Sequence, residues 1–201
     1  MKLFWSSASP YARKVLACAI AREIDAQIEL VPTKVQLSEP ALLAVNPLSK
    51  IPCLITDDGS SLFDSPVICE YLDSIEAGTL PMVPRSGGPR WRALRQQAMA
   101  DGILDAAVPL RRALQNPRDV ARDAWIARQR SAISRTVDEL EKDPPHAAID
   151  IGSIAVACAL GYLDFRFGAE PWRPGHPRLN GWFAAFATNP PIARTMPKEI
   201  T

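Results

Sequence analysis

An α/β half followed by an all-helical half is the fold class this sequence predicts, and three observations carry it. Up to Ala77, apolar runs of strand length alternate with helix-period segments. A stretch dense in Pro and Gly, Gly78 to Pro89, then interrupts the pattern as linkers do. Beyond it no strand pattern recurs, only helices. The expected units are residues 1–77, a linker over 78–89, and an all-helical unit over 90–201.

Lys2 to Trp5 reads as a strand, Ser6-Ser7-Ala8 as a turn, and Ser9-Pro10 as the start of a helix reaching to about Ile24. Serine's oxygen at the N-cap and proline's preset φ at the first helical position explain that start. A second strand is expected over Gln27 to Val31, and a short helix around Pro40 to Ala44. Cys53 to Thr56 and Ser61 to Phe63, joined by Asp57-Asp58-Gly59, read as a β-hairpin. Asp64-Ser65-Pro66 repeats the helix-start grammar, with Ser65 as the cap of a helix to about Ile75. A β-α-β half joined to a β-β-α half makes a layered unit.

In the second unit, helices are expected from about Arg90 to Leu114 with a kink at Pro109, from Asp119 to Glu141, from Ile151 to Phe165, and from Pro177 to Ala187. Ile151 to Phe165 is apolar on every side and so belongs at the centre of the bundle. Asp150 is expected to cap it, with Ser153 a poorer return partner than a carboxylate would be. From Asn189 onward the chain is broken by prolines and is expected to wrap the surface.

Composition excludes several classes. Hydrophobic residues make up 47% and charged ones 22%, and the net charge of +1 offers no electrostatic case for nucleic acid or an acidic membrane. No apolar segment reaches the roughly 18–20 residues of a bilayer span. The strand pattern begins at once, leaving no room for a signal peptide, so cytoplasm is the expected compartment. Cys18, Cys53, Cys69 and Cys158 show no CxxC or metal spacing and read as buried thiols, with no metal site.

The chemical signal lies in the two Ser-Pro helix starts, each fed by a strand. A helix N-terminus gathers unpaired N–H groups and the positive end of the dipole, which favours a carboxylate. Both starts are read as facing one small anionic ligand. Taken singly, each serine is a cap worth about 1 kcal/mol; only the ordered set points further.

Ser9-Pro10-Tyr11-Ala12-Arg13-Lys14-Val15, Asn46-Pro47-Leu48-Ser49-Lys50-Ile51-Pro52 and Phe63-Asp64-Ser65-Pro66 carry a resemblance, extended by Ala100 to Ala106 and the Ile154 to Phe165 helix. In this order and spacing they resemble the glutathione S-transferase superfamily, in particular its small bacterial, serine-type members. The resemblance implies a thioredoxin-like N-terminal domain, an all-helical C-terminal domain, and a cytoplasmic homodimer that binds glutathione at the domain cleft as cosubstrate for detoxification. It further implies a cis Ile51-Pro52 bond, with Ile51 pairing the ligand's cysteinyl backbone like an added strand. Ser65 would take the γ-glutamyl carboxylate, Asp64 the ammonium, and Lys50 the glycyl carboxylate. Ser9 would donate a hydrogen bond to the sulfur, and the thiolate would attack a small hydrophobic electrophile. Ser6 and Ser7 are rivals for that contact. Asp101 and Asp105 are candidates for reaching a neighbour's ligand across a dimer, and Tyr11, Trp91 and Arg111 for facing the cleft. The competing expectation is a module of the same fold that binds glutathione or a protein without turnover.

Overall fold

A computed structural model describes residues 1–37, 39–75, 81–117 and 119–199. Four strands, β1 (Lys2–Trp5), β2 (Glu29–Pro32), β3 (Cys53–Ile55) and β4 (Ser61–Leu62), form one sheet in the order β2-β1-β3-β4. β2 runs parallel to β1, while β3 is antiparallel to both β1 and β4. Helix α1 (Pro10–Ala21) supplies the crossover a parallel pair requires. Helix α2 (Pro40–Leu43) precedes β3, and α3 (Ser65–Ser74) follows the hairpin.

Strand alternation sends neighbouring residues to opposite faces. Leu3 and Leu54, opposite one another across β1 and β3, enter the main core with Val15 and Cys18 of α1 and Ile68 and Leu72 of α3. Phe4 and Cys53, also opposite one another, join Leu42 in a second cluster on the other face.

The expected elements appear with three shifts. Helix α1 ends before Ile24 because Glu23 takes a left-handed φ of 58°. Its N–H then reaches the Ile20 carbonyl and the Ile24 N–H the Ala19 carbonyl, a Schellman closure with Ile24 packed inward. A 3₁₀ turn over Asp25–Gln27 delays β2 to Glu29. Helix α4 (Gly87–Ala113) starts ahead of Arg90, since Gly87 at φ 76° turns the chain into it, and it continues helical through Pro109. The expected domain end at Ala77 and the linker residues Gly78, Thr79 and Leu80 lie outside the described residues.

Helices α5 (Val120–Lys142), α6 (Ile151–Arg166), α7 (Pro177–Phe186) and α8 (Pro190–Ala193) complete the chain. Every residue of α6 from Ile151 to Leu163 is buried. It lies close on α4: a Cβ on Gly152 would stand 2.8 Å from the Ala93 carbonyl oxygen and 3.0 Å from Gln96 Cβ. Main-core residues of α1, α3, α4 and α6 form one cluster, so the sheet unit and the helical unit share a single core. Among the described residues, no helix is long and apolar enough to cross a membrane.

The start of α6 corrects one expectation. Ser153 Oγ accepts from the Asp150 N–H at 2.9 Å while the Asp150 carboxylate accepts from the Ser153 N–H at 2.8 Å, so the box closes fully with its partners exchanged. Both residues are buried. Asp150→Ala is expected to lower stability by about 0.5–2 kcal/mol, towards the upper end because water cannot replace the lost acceptor. Equal urea midpoints for the two proteins would contradict this.

The C-terminal stretch also differs from the expected surface wrap. Ile192 is fully buried, and Arg13 of α1, itself buried, donates from Nη2 to the Ile192 carbonyl at 3.2 Å and from Nε to Thr195 Oγ1 at 3.4 Å. The tail is thereby pinned to α1.

Candidate functional site

The sheet's register decides which residues meet. β1 ends at Trp5, and Phe4 faces Cys53, so the turn after β1 emerges beside Pro52. Leu54 faces Leu62 across the hairpin, so Phe63-Asp64 leaves β4 at the same end of the sheet. Ser9, Ile51-Pro52 and Asp64-Ser65 are thus gathered along one edge. β1 and β4 stand two strand spacings apart, about 10 Å. An extended tripeptide also spans about 10 Å.

Ser9 caps α1: its Oγ accepts from the Ala12 N–H at 3.2 Å. A hydroxyl that accepts still has its own proton to donate. The rivals differ in this respect. Ser6 Oγ accepts from the Ala8 N–H at 3.3 Å, whereas Ser7 Oγ donates to the Lys198 carbonyl at 3.2 Å and has spent its proton on the tail.

The peptide between Ile51 and Pro52 is cis, as the resemblance implied, and that between Phe63 and Asp64 is cis as well. The loop presenting Ile51 is built around Asn46, which is 1% exposed. Its Nδ2 donates to the Lys50 carbonyl at 2.8 Å and its Oδ1 accepts from the Leu48 N–H at 3.0 Å. Ser49 takes a left-handed φ of 50° there, and its hydroxyl oxygen is buried with no partner among the described residues. The Lys50 side chain is exposed and Pro52 is buried.

The second helix start departs from expectation by one residue. Asp64, not Ser65, is the N-cap of α3, in an extended conformation at φ −90°, and its side chain makes no capping bond. Ser65 is therefore the first helical residue. It is buried, and its N–H belongs to the first-turn donors that have no partner within a helix. Asp64 keeps its carboxylate exposed and uncommitted at that mouth.

Helix α4 closes the cleft from above through two contacts with α1. Tyr11 donates its hydroxyl to Asp105 Oδ1 at 2.5 Å. Burial, then the Asp105 hydrogen bond and charge, push the Tyr11 pKa up, so it remains a neutral donor at physiological pH. Lys14, wholly buried, meets both oxygens of Asp101 at 2.6 and 2.8 Å. Burial raises the Asp101 pKa; Lys14 opposes that rise, and the nearby charges of Asp105 and Asp64 add to it. Asp101 and Asp105 are thus both engaged within this chain, and Trp91 is 67% exposed.

Several positioning residues escape a sequence reading. Asn46 stood within a quoted motif but carried no sign that its side chain holds the loop. Nothing local to Lys14 marks it as buried, since its partner lies 87 residues away. Arg13 lies close on α6 at Gly161, where a Cβ would stand 2.4 Å from Arg13 Nη1. The two histidines support structure, His176 lying 2.6 Å from the Trp172 carbonyl and 2.8 Å from Asp138, and His146 3.7 Å from Asp150. The four cysteines are free and buried. Among the described residues, no three His, Cys, Asp or Glu side chains are grouped as a metal site.

Known proteins match this architecture along its whole length. Residues 8–75 match the model of the glutathione S-transferase N-terminal domain, and residues 123–185 that of the C-terminal domain. The GST-like protein YibF of Escherichia coli (strain K12) is 32% identical over 204 residues, covering 99% of this chain and all of that protein. A glutathione transferase family member from Pseudomonas fluorescens Pf-5, solved with bound glutathione, is 38% identical with a TM-score of 0.91, over 98% of this chain and 99% of that one. A second structure described in the same terms, with bound S-(propanoic acid)-glutathione, is 39% identical with a TM-score of 0.86, over 99% of this chain and all of that one. A sheet edge that gathers two helix starts and a cis-proline loop beneath a helical roof thus has close counterparts throughout, and the chain belongs to the glutathione S-transferase family.

Proposed function

We propose that this chain is a glutathione transferase in which Ser9 activates the glutathione thiol for attack on an electrophilic carbon. The observation that carries this reading is the convergence of Ser9, Ile51-Pro52 and Asp64-Ser65 on one edge of the sheet, over the span of an extended tripeptide. The relatives solved with glutathione and with its propanoic acid conjugate support it.

Each end of the ligand has a chemically matched group. The γ-glutamyl carboxylate sits at the start of α3, on the Ser65 N–H and hydroxyl. Its ammonium meets Asp64, with the Asp105 carboxylate nearby, while Lys14 balances Asp101. Ile51 pairs with the cysteinyl backbone, and Lys50 takes the glycyl carboxylate. The sulfur then lies at the mouth of α1, where Ser9 donates to it. The thiol proton passes to solvent, and the thiolate forms the new S–C bond. The leaving group departs from that carbon with its electron pair. Residues 1–77 hold glutathione and residues 90–201 line the electrophile's pocket, in a homodimer.

Capture on glutathione-agarose, followed by an assay with a generic aryl halide, tests the proposal. Elution by free glutathione together with conjugate formation is expected. Capture without turnover on several electrophiles would favour a binding module, and failure to be captured would remove the site itself. Asn46→Ala removes the two side-chain bonds that shape the Lys50-Ile51 loop and is expected to weaken glutathione binding by about tenfold, roughly 1.4 kcal/mol. Calorimetric titration measures that loss, and an unchanged Kd would dismiss Asn46 as a positioning residue.

A further inference from the structure

Between the turn after β1, helix α1 and the C-terminal tail lies a partly enclosed cavity of about 100 Å³. No residue of β3, α3 or α4 lines it, so it is separate from the edge that gathers Ile51-Pro52 and Asp64-Ser65 and from the roof above them. The tail is tied to the turn at this place from both sides. Ser7 Oγ donates to the Lys198 carbonyl at 3.2 Å, and the Lys198 N–H donates to the Ser7 carbonyl at 3.3 Å.

The lining has a definite sign. Arg13, Arg194 and Lys198 border the cavity, and among the described residues no acid does. Arg194 is already paired with Asp25 at 2.7 Å, whereas Lys198 has no ion-pair partner among the described residues. Arg13 is only 4% exposed, and every acceptor it reaches is neutral: the Ile192 carbonyl, the Thr195 hydroxyl and, at 3.6 Å, the Met196 sulfur. Its Nη1 has no partner at all among the described residues. Neutral acceptors satisfy hydrogen bonds, but they leave a buried charge without a counter-ion, which is costly. Trp5, Leu16 and Met196 give the same cavity an apolar wall. Ser6 borders it too, and its hydroxyl, accepting from the Ala8 N–H, keeps a proton to give.

We infer that this cavity is a second binding site, which takes a small monocarboxylate with a short apolar chain. The carboxylate supplies the negative charge that Arg13 and Lys198 lack, and the chain lies against Trp5, Leu16 and Met196. Size limits the ligand: a cavity of about 150 Å³ holds benzene, so this one admits about four or five non-hydrogen atoms. Inorganic phosphate has the charge but would leave the apolar wall facing a strongly hydrated ion. The site adjoins the turn that leads into Ser9 yet shares none of the contacts proposed for glutathione.

Propanoate and propanamide, alike in shape and different in charge, provide the test, each titrated into the full chain labelled with nitrogen-15. Propanoate is expected to shift the Trp5 indole N–H and the Ser6 and Ser7 amides saturably, and to bind about tenfold tighter than propanamide. Inorganic phosphate should bind more weakly than propanoate. Lys198→Gln should cut the preference for propanoate about threefold, Lys198→Arg should retain it, and added salt should shrink it. Absence of saturable shifts at those three groups, equal affinity for the amide, phosphate bound as tightly as propanoate, or a preference unchanged in Lys198→Gln overturns the inference. Shifts confined to the Ile51 and Ser65 amides would put the anion in the glutathione groove and overturn it as well. The transferase reading stands or falls separately, by capture and turnover.

Discussion

Lys14→Met is expected to destabilise the fold by about 3 kcal/mol, at the lower end of the roughly 3–5 kcal/mol lost when one partner of a buried ion pair is removed. Lys14 is wholly buried and holds both oxygens of Asp101, whose side chain retains 18% exposure; that residual contact with water is why the lower end applies. The pair bridges α1 and α4, so its loss also loosens the cleft between them. Urea unfolding should show a lower midpoint at unchanged slope. The loss should depend on pH with a definite sign. Burial already raises the Asp101 pKa above its ordinary 3.8, and Lys14 is what restrains it. A carboxyl whose pKa is raised on folding stabilises the fold fully below its unfolded value, and that contribution is lost as pH rises through the folded value. Without Lys14 the folded value climbs further, so the variant suffers most near neutrality and the gap to wild type narrows in acid. Carbon-13 titration of Asp101 should report the upward move. A gap that is constant with pH would show that the variant's defect is one of packing. Replacing both partners, Lys14→Met with Asp101→Leu, should recover most of the stability, because no unpaired charge is then buried.

In Ser9→Ala, the apparent pKa of bound glutathione should rise by about one to two units and kcat/KM at neutral pH should fall about 10- to 100-fold. A hydrogen bond to a charged acceptor is worth about 1.5–3 kcal/mol, and each pKa unit is about 1.4 kcal/mol. The variant also loses the cap of α1, which costs about 0.5–2 kcal/mol of stability and is read separately from the melting temperature. Glutathione capture should survive, since the contacts proposed for the peptide lie mainly at Lys50, Ile51 and Ser65. Thiolate absorbance and the pH–rate profile should shift together, and Ser9→Thr should restore both. An unmoved thiol pKa would transfer the role to Ser6, whose hydroxyl is likewise an acceptor with a proton to give.

Local chemistry was the readable part of this sequence. β1 ends at Trp5, α1 starts at Pro10 and α6 starts at Ile151 where caps, prolines and apolar runs place them, because those signals act within a few residues. The helix ends and Ser65 show the limit of such signals. Glu23 in a left-handed conformation stops α1 without glycine, and Asp64 displaces Ser65 from the cap, both through backbone choices that the surrounding fold selects. Ser153 completes its capping box although a carboxylate is the usual partner there, because the exchanged oxygen and N–H still meet at 2.9 Å.

By itself, the sequence determined an α/β half, a helical half, and two helix starts marked by serine and proline, all of them consequences of short-range propensity and periodicity. Tertiary structure alone decided that Lys14 is buried on Asp101, that Asn46 holds the Lys50-Ile51 loop, and that Ser7 gives its proton to the tail. The physical reason is distance along the chain. Helix and strand starts are set by neighbours a few residues away, whereas burial and charge pairing depend on groups brought together only when the sheet and the bundle close on one core.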